Sequence, residues 1–373
     1  MSVGARAMTV VMAPDSFKGT LDAPEVAAAL GAGWSDVRPQ DRVVTCPMAD
    51  GGEGTLAAVA RSGRGTVHHP VLVHGPLGEP TTAAWLEMEE DGARVGLVEV
   101  ASTSGITMAD PLDGLRASSR GFGEAVVAAL DAGVDRLVLA LGGSASSDGG
   151  AGLLTALGGR LHDRLGRPVA PGNAGLEGIA GLDLSGLRSL PAGGAVVLSD
   201  VRNPLLGRSG AVRTYGPQKG IRQADLHRAD ERVGRLAGLV RDRLGGDEHA
   251  PGSGAAGGLG FTLAAWGARL VPGAEAVASV VGLPGFVDEA DVVVTGEGRF
   301  DATSAQGKVV GTVSGLCDAR AVERMLVAGS VEDTPTGFRA AVSLVDLAGA
   351  TGAMSAPGRW VRDAGGRLAA GVT

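Results

Sequence analysis

Short, continuously apolar runs recur along the chain and predict strands that are buried on both faces. Six such runs, rich in valine, leucine and alanine, span residues 8–13, 42–46, 136–141, 291–295, 324–328 and 341–344. Continuous apolar character is typical of parallel strands whose sheet is covered by helices on both sides. Four of the runs are followed by a glycine- or acid-rich loop, after which helix-like sequence resumes. This alternation predicts an α/β fold with a Rossmann-like, doubly wound parallel sheet.

The loop after the first run contains a signal for the start of a helix. Asp22 can act as the N-cap, Pro24 suits the first turn, and Glu25 stands three residues after the cap. This spacing is that of a capping box. Residues 26–30 continue the apolar pattern, so a helix is predicted to follow Asp22.

Two intervening segments have a different pattern. Residues 67–100 alternate between apolar and polar positions around turn sequences, which predicts antiparallel hairpins. Between residues 158 and 283, loops surround one buried strand at 195–198 and a charged amphipathic helix at 223–244. We therefore expect a Rossmann-like domain that is discontinuous in sequence and a second α+β domain. The expected bounds are 1–72, 118–158 and 285–373 for the first, and 73–117 and 159–284 for the second.

The composition narrows the classes of partner. The 373 residues carry a net charge of −8. A negative net charge repels the phosphate backbone of nucleic acid. No apolar run reaches the roughly 20 residues that a membrane span needs. The first apolar run is too short for a signal-peptide core, so the expected location is the cytoplasm and the expected partner is a small molecule. Nothing in the sequence indicates the oligomeric state.

The stretch Leu137–Gly152, LVLALGGSASSDGGAG, places small residues between a predicted strand and a predicted helix. Backbone N–H groups in such a loop can converge on an anion, and the positive end of the helix adds to the attraction. Asp148 could also hold Mg²⁺ against phosphate oxygens. The alternative is a glycine turn without a ligand. We predict phosphate binding by Gly142, Gly143, Ser144, Gly149 and Gly150.

Charged side chains also follow three other predicted strands, at the sheet edge where open α/β folds bind ligands. Glycines beside these acids would destabilise a loop that has only a structural role, because a glycine loses more backbone entropy on folding than other residues do. Acids in such loops typically bind metals, take up protons or orient hydroxyls, although solvated loops are the alternative. The residues are Asp15, Ser16 and Lys18; Asp50 and Glu53; and Glu297, Arg299 and Asp301.

Further polar residues could complete a site for one small ligand. In the second domain, Asp200 follows the 195–198 strand, and Asn203, Gln218 and Lys219 come after it. Lys308, which follows Gly307, is expected to direct its ammonium at phosphate. Ordinary solvated loops remain the alternative for each of these residues.

Familiar nucleotide motifs are missing or out of place. Residues 252–257, GSGAAG, match the dinucleotide pattern but follow a polar stretch and not a strand. No Gly-x-x-x-x-Gly-Lys-Ser/Thr sequence occurs. An oxidoreductase that binds NAD on the 252–257 loop is one alternative function, and a non-catalytic sensor of a phosphorylated or hydroxy acid is another.

Taken together, the loops resemble those of the bacterial glycerate kinase family (type I, glycerate 2-kinase-like), which is unrelated to protein kinases and P-loop enzymes. The matching motifs occur in the family's order and cover the chain from about residue 8 to 345. They are APDSFKG at 13–19, ADGGEGT at 49–55, GPLG at 75–78, GGS at 142–144, DGG at 148–150, NPLLG at 203–207, GPQKG at 216–220, and TGEGR at 295–299 with Asp301 and Gly307-Lys308.

The resemblance implies ATP- and Mg²⁺-dependent phosphorylation of D-glycerate to 2-phosphoglycerate, by two α/β domains with the site between them. A kinase for another small hydroxy acid stays open. On this basis we expect Asp50, Glu297 and Lys219 to be catalytic and Asp148 and Asp200 to hold the metal. The expected substrate-binding residues are Asp15, Ser16, Lys18, Glu53, Asn203, Arg299 and Asp301, and the expected nucleotide-binding residues are the glycines and serine of the 142–150 loop with Lys308.

Overall fold

The computed structural model describes residues 6–63, 65–302, 304 and 308–372, so that Gly307 lies outside the described residues. The strands of this part of the chain are β1 (Thr9–Pro14), β2 (Arg42–Thr45), β3 (Val67–His74), β4 (Pro80–Glu90), β5 (Ala93–Glu99), β6 (Arg136–Ala140), β7 (Arg160–His162), β8 (Gly181–Asp183), β9 (Ala195–Leu198), β10 (Arg269–Val271), β11 (Val292–Phe300), β12 (Glu323–Val331) and β13 (Ala340–Ser343). The α-helices are α1 (Ala23–Val37), α2 (Thr55–Ala60), α3 (Ala101–Ser104), α4 (Arg120–Asp131), α5 (Ala151–Ala156), α6 (Gly172–Gly175), α7 (Ala211–Tyr215), α8 (Leu226–Leu244), α9 (Leu259–Trp266), α10 (Gly273–Val281), α11 (Leu283–Asp288), α12 (Val309–Arg320), α13 (Leu344–Ser355) and α14 (Pro357–Ala370).

The chain divides into two compact units, neither of which is continuous in sequence. The first unit comprises Met1–Asp50, Ala57–Arg64 and Gly273–Thr373. Its sheet has the order β13-β12-β11-β1-β2, and all of its pairs are parallel. Five of the six apolar runs thus form one parallel sheet, which confirms the predicted α/β fold class.

Helices cover both faces of this sheet, because alternate residues of a strand point to opposite sides. Met325 and Val327 of β12 enter one apolar cluster together with residues of α1 and α14. Leu326 and Ala328, the residues between and after them, enter a separate cluster with Val310 of α12. The sheet is therefore doubly wound, as the continuous apolar runs predicted.

The predicted start of α1 is confirmed in detail. The Asp22 carboxylate accepts a hydrogen bond from the N–H of Glu25 (2.7 Å), and the Glu25 carboxylate accepts one from the N–H of Asp22 (2.9 Å). This reciprocal pair satisfies two amides that the helix itself leaves without partners.

None of the helices in the described ranges has the length and hydropathy that a membrane span needs.

The second unit comprises Gly51–Leu56 and Gly65–Pro272 and contains a mixed six-stranded sheet. Its order is β10-β9-β6-β5-β4-β3, in which β3, β4 and β5 form the predicted antiparallel hairpins. The run at 136–141, expected in the sheet of the first unit, is instead strand β6 of this sheet, between β5 and β9. The apolar pattern identifies a buried parallel strand but contains no information on which sheet receives it.

Strands β11 and β12 are longer than the sequence pattern predicts. The apolar run predicts an end at residue 295, where the segment of glycines and charged residues begins. A Cβ at position 296 would lie only 2.2 Å from the carbonyl oxygen of Val327 on β12, so glycine is what lets the strands continue side by side. Glu297 and Arg299 therefore belong to β11 and pair with Ala328 and Ser330.

Candidate functional site

The carboxyl edge of the first unit's sheet contains the point at which its strand order reverses. The chain leaves β1 toward β2 on one side and leaves β11 toward β12 on the other. The crevice outside the carboxyl ends of two such strands is the usual ligand site of an open α/β sheet. Asp15 follows β1, Glu297 lies near the end of β11, and Asp50 comes after β2.

Asp15 and Asp50 lie close enough to repel each other. The segment after β2 continues alongside β1, since Cys46 N–H donates to the carbonyl of Met12 and Met48 N–H to that of Pro14 (2.8 and 2.9 Å). Burial raises the pKa of the Asp15 carboxyl to about 7; the charges of Asp50 and Glu297 add to this, and a hydrogen bond from the Ser16 N–H and the charge of Lys18 oppose it. The Ser16 bond is 2.6 Å long. A carboxyl with this pKa can hold or release a proton near neutral pH.

Glu297 is also buried, with 8% of its surface exposed. Burial raises the pKa of its carboxyl, and a hydrogen bond with Ser304 and the charge of Lys308 oppose the rise. Its Oε1 atom has no hydrogen-bond partner among the described residues. A buried carboxylate oxygen without a partner is costly, and it is a natural acceptor for a hydroxyl or a cation.

The remaining predicted residues of this edge are more exposed. Arg299 is 63% exposed and forms ion pairs with Asp301 (3.3 Å) and Glu332 (3.8 Å). Lys18 is exposed, and its charge lowers the pKa of Asp15 and of Glu297, so its ammonium lies near both acids. The structure thus brings together Asp15, Ser16, Lys18, Asp50, Glu297, Arg299, Asp301 and Lys308 within the first unit.

The second unit contains a separate cavity of about 150 Å³. Gly142, Gly143 and Ser144 line it where β6 ends, and Tyr215 and Lys219 line it from the 215–219 segment. Ser199, at the carboxyl end of β9, and Gln218 add polar groups to its walls. Residues 142–144, the first part of the predicted phosphate loop, therefore line a cavity large enough for a small polar group.

Lys219 is buried, with 4% of its surface exposed. Its ammonium donates a 2.6 Å hydrogen bond to the carbonyl oxygen of Ser146. Burial lowers the pKa of this lysine to about 8, against the charge of Asp148, which raises it. A buried ammonium on the wall of a cavity is positioned to attract an anion and remains protonated at neutral pH.

Two glycine loops lie backbone to backbone next to this cavity. Gly142 N–H donates to the carbonyl of Gly51 (3.1 Å), and a Cβ on Gly142 would lie 2.2 Å from the Cα of Gly52. Glu53 is exposed, and its Cβ lies 3.7 Å from where a Cβ of Gly143 would be. A Cβ on Gly51 would also lie only 2.7 Å from the Cβ of Leu198, so Gly51 and Gly142 are needed for close packing, and Glu53 lies beside the 142–150 loop.

Glu99, which the sequence analysis did not single out, holds the 51–56 loop in place. Its buried carboxylate accepts a 2.8 Å hydrogen bond from the N–H of Thr55 and further backbone bonds from Gly54 and Leu56 at the start of α2. Burial nevertheless raises the pKa of this carboxyl to about 7. The signal was present: Glu99 ends strand β5, and an acid at the end of a strand is the criterion that selected Asp15.

Asp148 does not have the surroundings expected of a metal ligand. It is fully buried, and its carboxylate accepts hydrogen bonds from Ser119 N–H (2.9 Å), from the Ser119 hydroxyl (2.9 Å), and from the N–H groups of Gly150 (3.0 Å) and Gly152 (3.1 Å). The Gly149 N–H donates to the carbonyl of Gly257. The amides of Gly149 and Gly150 thus have hydrogen-bond partners within the protein, and the roles expected of Asp148, Gly149 and Gly150 stay predictions.

Two other predicted residues of the second unit, Asn203 and Asp200, do not themselves line the cavity. The side chain of Asn203 accepts a hydrogen bond from the Tyr215 hydroxyl (2.8 Å) and donates one to the carbonyl of Ser209 (2.7 Å), so it orients Tyr215 and does not line the cavity. Asp200 is exposed, between the cavity-lining residues Ser199 and Val201.

The 252–257 segment, which matched the dinucleotide pattern, uses its glycines for packing. Its backbone turns through left-handed conformations at Ala256 (φ 49°) and Gly257 (φ 70°). A Cβ on Gly257 would lie 2.2 Å from the carbonyl oxygen of Ser146. The segment follows a series of turns and supports the 142–150 loop, which is not the strand-to-helix context of a dinucleotide site.

Comparison with known proteins identifies the family. The family model described as "Glycerate kinase family" matches residues 10–372. Glycerate 2-kinase from Escherichia coli K12 is 38% identical over 331 residues, which cover 87% of this chain and 86% of the relative. Glycerate kinase from Bacillus subtilis 168 is 40% identical over 329 residues, with 87% and 85% covered. A crystal structure from Salmonella typhimurium LT2, of a protein assigned as glycerate kinase 2, superposes with a TM-score of 0.83 at 38% identity and covers 98% of both chains. The chain therefore belongs to the glycerate kinase family, a family of phosphotransferases.

Proposed function

We propose that this chain transfers a phosphoryl group from ATP to D-glycerate, with Mg²⁺, and forms 2-phosphoglycerate. The observation that supports this most directly is the group formed by Asp15, Asp50 and Glu297 with Lys18 at the reversal point of the parallel sheet. Phosphoryl transfer asks a protein mainly to position the reactants and to neutralise charge, and this group offers acids, a cation and a proton acceptor.

Asp50 is the proposed residue that orients or deprotonates the acceptor hydroxyl. Asp15 beside it has a pKa of about 7 because it is buried and faces Asp50 and Glu297, so it binds a proton over much of the range below pH 7. Glu297, whose Oε1 has no partner among the described residues, is the proposed acceptor for a second hydrogen bond from the substrate. The proton thus leaves the hydroxyl toward a carboxylate that is within the same electrostatic group.

The acids of this group also fit Mg²⁺. No three side chains of histidine, cysteine, aspartate or glutamate in the described ranges form a complete metal site. Mg²⁺ usually binds through one or two carboxylates and completes its shell with water and substrate phosphates, so a partial site is sufficient. We propose Asp15 as the residue that would hold it, with exposed Asp200 as the second possibility that remains from the sequence. The ion would neutralise phosphate charge, and it would relieve the repulsion between the acids.

Cations of the two units have separate proposed roles. Lys18 is the proposed anchor for the glycerate carboxylate, because Arg299 is already paired with Asp301 and Glu332. In the second unit, Gly142, Gly143, Ser144 and buried Lys219 are proposed to bind phosphate oxygens at the cavity that they line. The use of ATP also agrees with the cytoplasmic location that we expect.

The regiochemistry follows from the anchor. In glycerate the C2 hydroxyl is adjacent to the carboxylate carbon, and the C3 hydroxyl lies one carbon further out. If Lys18 holds the carboxylate, the C2 hydroxyl is the one that stays near Asp50. We therefore propose the 2-phosphate as product.

The decisive experiment measures ADP release by the full chain with ATP and Mg²⁺ over a panel of hydroxy acids, followed by ³¹P spectroscopy of the product. D-glycerate should give the highest kcat/KM, and the product should be the 2-phosphate. Turnover with another acid but not with glycerate would support a kinase of different specificity. No turnover with any acid would refute the kinase proposal, and a 3-phosphate alone would refute only the anchor geometry.

A further inference from the structure

A cavity of about 230 Å³ opens in the first unit beside the carboxyl ends of β1, β11, β12 and β13. We call it the Met354 cavity. Its walls are mainly apolar and include Phe17, Leu344, Met354 and Pro357. None of these four residues belongs to the acidic group described above. Ligands usually bind at the carboxyl ends of the strands of such a sheet, but apolar walls offer few hydrogen-bond partners to a small polar acid.

Two glycines give the cavity a bare stretch of backbone. Gly298 of β11 and Gly329 of β12 both line it. A Cβ on Gly329 would lie 2.3 Å from the carbonyl oxygen of Gly298, so only glycine allows the strands to lie this close. Neither glycine has a side chain that would occupy the cavity, so a flat ring could lie against the backbone at this place.

Another part of the cavity wall comes from α13, which is kinked. Gly349 has φ 68° and ψ 162°, values outside the helical region. Val345 before the kink and Ala350 after it both line the cavity. Met354, one turn further, is 69% exposed, which is unusual for a large apolar side chain. A flexible thioether that lies exposed at a cavity is well suited to cover an aromatic ring.

The chemistry of the two proposed reactants selects the occupant. Glycerate consists of a carboxylate and two hydroxyls on three carbons and has no apolar face. The base of the nucleotide is flat and has two such faces. Lys18 lines the same cavity and also lies near Asp15 and Glu297, so a ligand in the cavity can extend its charged end toward the acidic group. We propose that the Met354 cavity binds the adenine base of ATP; this inference rests on the proposed function for the identity of the nucleotide.

The test fills the cavity and measures binding as well as activity. Ala350 is exposed and lines the cavity, so Ala350→Trp should occupy the space of the base without loss of folding. Loss of base stacking weakens nucleotide binding by about tenfold or more. We expect this increase in the Kd of adenosine, measured by calorimetry, and in the KM for ATP. The KM for glycerate and the inhibition by inorganic tripolyphosphate should not change.

Thr351→Trp is the matched control, because Thr351 is the next residue of the same helix, is exposed and does not line the cavity. Met354→Gln is a second variant that keeps the length of the side chain and removes its apolar end; it should weaken adenosine binding in the same direction. Unchanged adenosine binding and ATP KM in Ala350→Trp and Met354→Gln would overturn the inference, even if wild-type turnover is normal. Absence of turnover in the wild type would refute the proposed function, while adenosine binding that only the cavity variants weaken would still support the base site.

Discussion

The replacement Asp148→Asn distinguishes a structural carboxylate from a metal ligand. Asp148 accepts hydrogen bonds from the N–H groups of Ser119, Gly150 and Gly152 and from the Ser119 hydroxyl, at 2.9 to 3.1 Å. Asparagine keeps one acceptor oxygen, and its amide must face at least one backbone N–H. In a site with no exposed surface, one donor without a partner costs about 1–3 kcal/mol, and the loss of charge weakens the remaining bonds. We expect a decrease of about 3 kcal/mol in the free energy of unfolding.

Urea unfolding followed by circular dichroism measures this change. With a denaturant dependence of about 1–3 kcal/mol per molar, the midpoint should fall by roughly 1 M or more. Amide hydrogen exchange should be faster in the peptides that contain residues 144–156, where the hydrogen bonds are lost. Asp200→Asn is the control: Asp200 is exposed, so its midpoint should stay unchanged. An unchanged midpoint in Asp148→Asn together with a higher Mg²⁺ requirement for turnover would refute this reasoning and restore Asp148 as a metal ligand.

Three further predictions concern single residues. Asp50→Asn should lower kcat about 100-fold or more in a coupled ADP-release assay, with little change in the KM for ATP, because a proton acceptor acts in the transition state; an unchanged kcat would remove Asp50 from the mechanism. Because burial lowers the pKa of Lys219 to about 8, its ammonium is present below that pH and is lost above it, so kcat/KM should fall as pH rises through 8, and Lys219→Met should be impaired already at pH 7; a wild-type profile that is level up to pH 9 would contradict this role. Burial raises the pKa of Glu99 from 4.5 to about 7, so the folded chain holds a proton that the unfolded chain releases between these values. Stability from this group is present below pH 4.5 and declines as pH rises to 7, and Glu99→Gln should therefore flatten the stability profile between pH 4.5 and 7 in urea titrations; an unaltered slope would show that Glu99 does not titrate there.

The features that the sequence predicted are those that depend on neighbours along the chain. The capping box of α1 needs only Asp22 and Glu25, and the hairpins β3 to β5 need only their own alternation and turns. The acidic group at the reversal point was also predictable, because acids that follow parallel strands meet at one edge of the sheet. For the roles of its members, the sequence supplied a resemblance and a set of alternatives, and these stay predictions.

The features that could not be predicted from the sequence depend on residues that are far apart along the chain. Asp50 and Asp148 both precede two glycines and look alike as motifs, but Asp148 is enclosed by donors that include Ser119, 29 residues earlier. Strand β6 resembles the other buried strands, and only its pairing with β5 and β9 assigns it to the second sheet. The apolar pattern ends β11 too early, at residue 295, because the close contact between Gly296 and Val327 of β12 cannot be inferred from the sequence.

The discontinuity of the first unit has a consequence for the order of events during synthesis. Val10 of β1 pairs with Val292 of β11, and the Thr9 N–H bonds to the carboxylate of Asp291, 282 residues later. The first sheet therefore cannot close until nearly the whole chain has left the ribosome, whereas the long Gly65–Pro272 segment of the second unit emerges earlier and contains all six strands of its own sheet. Until then β1 and β2 are an isolated pair with an open apolar edge, a species that is prone to association. Fragments that end before residue 292 should thus aggregate through this edge, and refolding from denaturant should be slow, as expected of a sheet completed by its most distant contacts.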